Sequence, residues 1–281
     1  MGRVSMCLGT AVLIGLLGPV GTAPSSAAES PATEGELPRL VEGLGGDRAT
    51  RERVREQLLA HGADAVPHLT AKAEDPRFAV RWEVVNLLGY LESSSGIPTL
   101  VDRIGNDVDP HVRWRAMWAL RRIPDPEGRE ALAARCAGEG TPAWNACVGL
   151  SLFEDPRALP RLLTGLGHVN GWIRWEAVDS LGRVHDGETS THLIPLLEDP
   201  EPRVRQEAAL SLAQIGDATA VTALVAALEA PSPEVRWRAA MGLGRCGDRS
   251  VLRPLEARLE AESDPQTRRH LAGAIDRLRS R

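Results

Sequence analysis

The amino-acid sequence predicts an all-α solenoid, built as a stack of about eight helix pairs. The first observation behind this prediction is a block of about 31 residues that recurs along most of the 281-residue chain. The second is a pair of residue markers that keep their phase from block to block, and the third is the helical spacing of the apolar residues between them. Internal repeats of this length indicate units that bury their apolar faces only against neighbouring units. The first marker, termed the register arginine, is Arg51, Arg81, Arg113, Arg174, Arg205, Arg236 and Arg268.

The second marker places the start of the first helix of each block, termed helix A. It is a residue whose side chain can accept a hydrogen bond from the free amides of a helix's first turn. After Asp217, residues 218–228 have apolar side chains at helical spacing and contain no proline or glycine, as a packed helix requires. The predicted caps of helix A are Asp64, Ser95, Asp125, Asp155, Asp186, Asp217 and Asp248.

The second helix of each block, termed helix B, contains the register arginine and is predicted to begin three residues before it. Prolines stand there in four blocks, and proline is tolerated in a first turn because that amide has no helical partner. Gly216 and Gly247, which follow helix B, fit a left-handed C-terminal stop. The prolines are Pro110, Pro202, Pro233 and Pro265, and the predicted caps of helix B are Asp109, Ser232 and Asp264.

The N-terminal residues have the layout of a secretory signal peptide, which we assign to residues 1–27. Arg3 precedes an apolar run from Met6 to Val20, and small residues follow. The run of about 15 residues is shorter than the roughly 20 that a membrane span needs, although an uncleaved membrane anchor stays open. Residues 28–36 are rich in Ala, Ser, Pro and Glu and are predicted to form a flexible linker. The solenoid is then residues 37–281 of an exported protein, located in the periplasm, the cell envelope or the medium.

Three cysteines remain after removal of the predicted signal peptide. Cys136 falls at the end of helix A and Cys147 inside helix B of the fourth block, so a disulfide across the helical hairpin is geometrically possible. The alternative is that both are small core residues, because Cys147 stands where later blocks have Ala209 and Ala240.

The helix B pattern resembles a known repeat. Residues 235–244 read VRWRAAMGLG and residues 204–213 read VRQEAALSLA, and Gly-Asp follows each pattern at 247–248 and 216–217. This pattern resembles the short HEAT-like repeat of the phycobilin lyase type, over about eight units from Leu37 to the C-terminus. The resemblance implies a right-handed superhelix with the A helices on its convex side and the B helices lining its concave side. It does not specify a function, because one fold serves many functions.

The register arginine is predicted to be buried. At 100° per residue, Arg236 falls inside the apolar arc of its helix. A buried guanidinium needs carboxylate or carbonyl partners, so we predict a ladder of Asp–Arg pairs between units. The fourth unit has Ala143 in place of the arginine and Thr141 near the aspartate position, so it lacks both partners and is expected to bend the superhelix. The predicted partners are Asp75, Asp109, Asp199 and Asp264.

Five of the seven tryptophans stand one residue after the register position. At about 100° from the arginine they flank the buried arc, beside the surface that the resemblance places on the concave side. We therefore predict that they bind a peptide or another extended protein partner. The alternative is that each indole packs on the next unit, because leaving it in water costs roughly 2 to 3 kcal/mol. The five are Trp82, Trp114, Trp144, Trp175 and Trp237, and their polar neighbours are Glu83, Arg115, Asn145, Glu176 and Arg238.

The sequence offers little for catalysis or for nucleic-acid binding. The seven histidines show no His-Glu pair and no metal-ligand spacing, so no metal or cofactor is expected. The net charge of −5 and the lack of a basic face argue against a nucleic-acid partner. The predicted function is an exported scaffold or adaptor that binds a protein or peptide through its concave face. The alternative is an enzyme or enzyme accessory subunit of the phycobilin lyase type, and the sequence indicates no oligomeric state.

Overall fold

The computed structural model of the chain describes residues 35–281, and within that part it consists of helices and turns without strands. The predicted signal peptide and residues 28–34 of the predicted linker lie outside the described residues. The first helix begins at Glu36. The prediction of an all-α solenoid is confirmed.

The described residues form eight helix pairs, numbered here as units 1 to 8, and a short 3₁₀ segment extends helix A in six of them. The A helices are α1 (Glu36–Glu42), α3 (Val66–Thr70), α5 (Ile97–Asn106), α7 (Pro126–Cys136), α9 (Leu159–Gly165), α11 (Thr189–Leu193), α13 (Ala218–Ala227) and α15 (Leu252–Ala261). The B helices are α2 (Arg48–Ala60), α4 (Phe78–Leu91), α6 (Pro110–Arg122), α8 (Gly140–Ser151), α10 (Gly171–Arg183), α12 (Pro202–Ile215), α14 (Pro233–Cys246) and α16 (Pro265–Arg279). The 3₁₀ segments are Gly43–Gly45, Gly62–Ala65, Ser94–Gly96, Pro156–Ala158, Ile194–Glu198 and Arg249–Val251.

Most of the predicted helix caps form the expected hydrogen bonds. At the start of α13, the Asp217 carboxylate accepts a hydrogen bond from the amide of Ala220 at 2.6 Å, which satisfies one of the free first-turn donors. In α16 the Asp264 carboxylate accepts one from the amide of Thr267 at 2.7 Å. The predicted caps that accept from an amide two or three residues later are Asp109, Asp125, Asp155, Asp186, Asp217, Asp248 and Asp264.

Four of the local predictions are wrong. Asp64 and Ser95 lie inside 3₁₀ segments, because helix A of units 2 and 3 opens with a tighter turn that begins before them. Ser232 stands at the N-cap position of α14, but its hydroxyl is bonded to the Glu234 carboxylate at 2.8 Å instead of to an amide. Gly247 does not adopt the predicted left-handed conformation, because its backbone is extended with φ −72°. A Cβ added to it would lie 2.5 Å from the carbonyl oxygen of Leu243.

Successive B helices approach each other closely through small residues. An added Cβ on Gly89 of α4 would lie 2.8 Å from the Cα of Ala119 in α6, and one on Gly244 of α14 would lie 2.9 Å from the Cα of Ala274 in α16. Packing of B on B is close from α4 to α6 and from α10 through α16, whereas the A helices touch each other less. This closer spacing agrees with the arrangement that the resemblance implies, in which the B helices line the concave side.

Unit 4 interrupts this stack of B helices. Helix α8 makes few contacts with α6 and α10 and packs mainly on α5 and α7. Eight residues after the register arginine, where α4 has the small Gly89, α6 has the large, exposed Arg121. Unit 4 is the unit that lacks the arginine and the aspartate of the predicted ladder. It is also the unit at which the close packing between successive B helices is interrupted.

Candidate functional site

Each register arginine holds the turn between the two helices of its own unit. The Arg174 guanidinium donates hydrogen bonds to the carbonyl oxygens of His168 and Val169 at 2.7 and 3.3 Å. The Arg236 guanidinium donates to Ala230 and Pro231 at 2.9 and 2.8 Å. Similar bonds are made by Arg51, Arg81, Arg113, Arg205 and Arg268. These bonds satisfy carbonyls that the helix ends leave free.

Three of these arginines also pair with a carboxylate of the following unit, as the predicted ladder requires. In each pair the Nε and Nη2 atoms of the guanidinium donate to the two carboxylate oxygens, an arrangement that combines charge with fixed geometry. The Arg174–Asp199 pair has distances of 2.7 and 2.8 Å. All three pairs are almost fully buried. They are Arg81–Asp107, Arg174–Asp199 and Arg236–Glu262.

Of the four predicted acidic partners, only Asp199 is confirmed. The pairing carboxylate stands six residues before the arginine of its own unit, so Asp109 and Asp264 come two residues too late and cap helix B instead. Asp75 has the right register but pairs with Arg77 in its own unit at 2.8 Å. In unit 8, the hydrogen bonds from Arg236 lower the pKa of Glu262 to about 2.

Four of the five predicted binding tryptophans contact the following unit. The indole N–H of Trp144 donates to the carboxylate of Glu176 at 2.6 Å, and that of Trp175 donates to Glu207 at 3.0 Å. The Trp237 ring stacks on His270 with ring centres 4.8 Å apart. In unit 2, Trp82 is half-buried against the core, and the guanidinium of Arg115 from unit 3 lies 5.7 Å from its ring centre. Trp114, the fifth, is 58% exposed.

The two carboxylates that receive indole N–H groups lie in an unfavourable environment for charge. Partial burial raises the pKa of Glu176. Burial, together with the nearby Asp179 carboxylate, raises the pKa of Glu207 to about 7, although the bond from Trp175 opposes the shift. Asp179 itself pairs with Arg183 one turn later in α10. The concave side of units 5 and 6 therefore contains a carboxyl group that titrates near neutral pH.

The exposed large hydrophobic side chains of residues 35–281 stand at similar places in units 2, 3 and 5, and the surface they form is termed here the aromatic edge. Each lies in the turn between helices A and B or in the first turn and a half of helix B, and these turns are on the same side of the stack. The sequence prediction found only Trp114 among them. The signal it missed is an apolar side chain two to eight residues after the end of helix A, in the turn or at the start of helix B, where polar residues are usual. The aromatic edge consists of Phe78, Val108, Trp114, Val169 and Trp172.

Two aromatic pairs at this edge have similar geometry. In unit 2 the rings of Phe78 and Trp82 have centres 6.0 Å apart and an interplanar angle of 38°. In unit 5 the rings of Trp172 and Trp175 are 4.9 Å apart at 37°. In each pair the first ring is exposed and the second is partly buried. Partly buried tryptophans thus support exposed rings that can contact a partner.

The fourth unit contains a disulfide, which the sequence left open. Cys136, the last residue of α7, is bonded to Cys147 in α8, and their Cα atoms are 4.8 Å apart. That separation is within the range that disulfides adopt. Both residues are buried, and Cys246 in α14 is a free, partly buried thiol.

Two further properties concern the part of the chain that the structure describes. No group of three or more His, Cys, Asp or Glu side chains in it stands where it could hold a metal ion. None of its helices combines the length and the apolar character that a membrane crossing requires.

Comparisons with known proteins agree with this architecture. A family pattern described as HEAT repeats matches residues 66–144 and 190–276, more than half of the chain. Among solved structures, the Escherichia coli protein YibA is similar, with 21% identity, a TM-score of 0.54 and coverage of 89% of this chain and 93% of that one. No curated protein matches the sequence.

Two other solved structures are similar at lower TM-scores. Human deoxyhypusine hydroxylase in complex with glycerol has 22% identity and a TM-score of 0.40, with 88% of this chain and 97% of that one covered. The complex of CpcE and CpcF of phycocyanin lyase from Nostoc sp. PCC7120 has 20% identity and a TM-score of 0.43, with 90% and 100% covered.

Proposed function

Because this chain belongs to the family of HEAT repeats, we propose that it is a scaffold or adaptor that binds a protein, or a peptide segment of one, through its aromatic edge. The observation that supports this proposal is the exposure of two tryptophans, Trp114 at 58% and Trp172 at 50%. Exposed apolar groups along one side of a protein mark interaction sites, and tryptophan is enriched among the residues that dominate binding energy.

The proposed partner contacts Trp114 and Trp172 and not the other four predicted tryptophans. Trp144, Trp175 and Trp237 are engaged with the next unit, so their removal would disturb the solenoid as well as any partner. Trp114 and Trp172 have the open surface that a partner needs. The proposed site is therefore the border of the concave face at the N-terminal ends of the B helices.

The proposal includes export of the protein. Its support is the sequence of residues 1–27, where one early charge, an apolar run and small residues follow each other in the order of a signal peptide. The proposed partner is then a protein of the cell envelope or of the medium. Fractionation of cells that express the chain with a C-terminal tag tests this: recovery of the full-length chain in the cytoplasm alone would contradict export.

A photo-crosslinking experiment in cells tests the proposed binding site. Benzoylphenylalanine replaces Trp114 or Trp172, and a matched control places it at the exposed Thr222 in α13. We expect the same partner to be crosslinked from the first two positions and not from the third. The double substitution Trp114→Ala and Trp172→Ala should lower recovery of that partner more than tenfold, as loss of dominant interface residues does. Equal recovery by wild type and the double variant, with unchanged helical circular dichroism, would contradict the proposal.

A further inference from the structure

The two helices of unit 4 are held together differently from those of the other seven units of residues 35–281. Ala143 stands at the register position, so this unit has no register arginine to donate to the turn between its helices. Instead, the bond between Cys136 and Cys147 joins the end of α7 to the middle of α8. The disulfide thus adds a covalent link between the two helices of the unit that lacks a register arginine.

The same unit is the joint between two parts of the solenoid. Helix α8 has few contacts with the B helices on either side, so the close B-helix packing of units 2 and 3 does not continue into units 5 to 8. Unit 5 reaches back to this joint through Arg161, whose guanidinium donates to the carbonyl oxygens of Cys136, at 3.2 Å, and Gly138. The end of α7 is therefore bonded to unit 5, and the disulfide fixes it to α8, which packs on α5 of unit 3.

We infer that the Cys136–Cys147 disulfide is a redox-dependent brace that fixes units 1–3 relative to units 5–8. With the bond formed, α7 and α8 move as one body. Without it, only side-chain packing and the short turn between α7 and α8 hold the hairpin together. The bond closes a loop with a sequence separation of 11, for which the chain-entropy relation gives about a 100-fold effect on the equilibrium between closed and open hairpin.

The redox step is a thiol–disulfide exchange with a dithiol. One thiolate of the dithiol attacks a cysteine sulfur, the Cys136–Cys147 bond breaks, and the released cysteine takes up a proton. The second thiolate then attacks the mixed disulfide and releases the other cysteine, which is also protonated. Two electrons and two protons pass to the protein, and the dithiol becomes a cyclic disulfide. Because both cysteines are buried, the exchange requires prior opening of unit 4.

The brace has a consequence for partner binding, and this consequence rests on the proposed function. Unit 4 separates Trp114 in unit 3 from Trp172 in unit 5. A partner that contacts both tryptophans requires a fixed distance between them. The oxidised protein presents the two rings at that distance, whereas the reduced protein presents them over a range of distances and has to order the joint on binding.

A distance measurement across unit 4 tests the brace without any partner. Spin labels on a ketone-bearing amino acid replace Val108 and Val169, the 86% and 94% exposed turn residues of units 3 and 5. In the oxidised protein, double electron–electron resonance should give a narrow distribution of distances. The double substitution Cys136→Ala and Cys147→Ala should broaden it and should raise hydrogen exchange of the α7 and α8 amides by about 100-fold.

Controls separate the covalent bond from the packing. Units 6 and 7 have alanine at the position of Cys147, so alanine fits the site. Wild type reduced by dithiothreitol in mild urea and returned to buffer without an oxidant should match the double variant, and it replaces that variant if the latter does not fold. Cys246→Ala, which removes the free thiol of α14, should change neither readout.

The outcomes distinguish this inference from the proposed function. A narrow distribution and unchanged exchange without the disulfide would overturn the brace, whatever happens to partner recovery. Broadened distances and faster exchange would support it. If the distances broaden but crosslinking to the partner from positions 114 and 172 is unaffected, the brace stands and its proposed link to binding at the aromatic edge is wrong.

Discussion

Replacement of Glu262 by glutamine should destabilise the C-terminal unit by an amount that depends on pH. The Glu262 side chain is fully buried, and both of its oxygens accept hydrogen bonds from Arg236. Glutamine keeps the size and one acceptor oxygen but removes the charge. The Arg236 guanidinium is then left buried without a counter-charge, which is costly inside a protein.

The magnitude follows from the pKa of Glu262. Its value in the folded state is lowered to about 2 from an ordinary value of 4.5. A carboxyl group with a lowered pKa contributes stability above its unfolded pKa, and that contribution is lost as the pH falls toward the folded pKa. At 1.36 kcal/mol per pKa unit, the contribution is about 3 kcal/mol at pH 7 and about 1.5 kcal/mol at pH 3.

Urea unfolding followed by circular dichroism, at pH 7 and at pH 3, measures this difference between wild type and Glu262→Gln. Because terminal units of a solenoid can unfold alone, hydrogen exchange of the α16 amides gives a local value. The matched control is Glu256→Gln on the neighbouring α15, where the carboxylate pairs with Arg279 and both side chains are exposed. This control should change stability by less than about 1 kcal/mol. Equal effects of the two substitutions at pH 7, or a Glu262 effect independent of pH, would refute the reasoning.

Two further substitutions test other parts of the fold. Glu207→Gln should stabilise the protein by about 1 to 3 kcal/mol at pH 8.5 and leave its stability unchanged at pH 4. The reason is that the pKa of Glu207 is raised to about 7 in the folded protein. Wild type therefore loses stability as the pH rises from about 4.5 to above 7. Thermal unfolding at both pH values checks this sign, and a destabilised variant at pH 8.5 would contradict it. Gly89→Ala should cost about 1 to 3 kcal/mol, because the added methyl meets the backbone of Ala119. Its control, Gly273→Ala in the open middle of α16, should stabilise by about 0.5 to 1 kcal/mol, and a Gly89 variant as stable as this control would show that α4 and α6 have room to separate.

The repeat and its helices could be predicted from the sequence because their signals are local. The register arginine, the apolar spacing and most caps depend on residues within one turn of each other, so Asp217 and Asp264 could be assigned without a structure. The acidic partner of an arginine depends on how two units stack. A shift of two residues separates Asp107, which pairs with Arg81, from Asp109, which caps a helix, and both positions satisfy the sequence pattern equally well.

In the candidate site, too, the local pattern could be predicted but the contacts between units could not. The tryptophan column is visible in the sequence, but whether an indole is covered depends on the next unit. The indoles of Trp144 and Trp175 donate to a glutamate of the next unit, whereas the indole of Trp114 stays 58% exposed. Trp172 carries no repeat signal because it occurs in one unit only. The sequence could give the disulfide only as a possibility, because the distance between Cys136 and Cys147 depends on how α7 packs on α8.

The buried pairs of arginine with carboxylate have a mechanical consequence. They cross three of the seven boundaries between units, those between units 2 and 3, 5 and 6, and 7 and 8. Under tension applied at its two ends, such a stack extends first at boundaries that such pairs do not cross, and α8, which packs little on the B helices beside it, lies between two of these. Each unit of about 31 residues that unravels adds roughly 100 Å of contour length. The solenoid therefore extends unevenly under tension. The boundaries within units 2–3, 5–6 and 7–8 resist extension, and the disulfide keeps the two helices of unit 4 together.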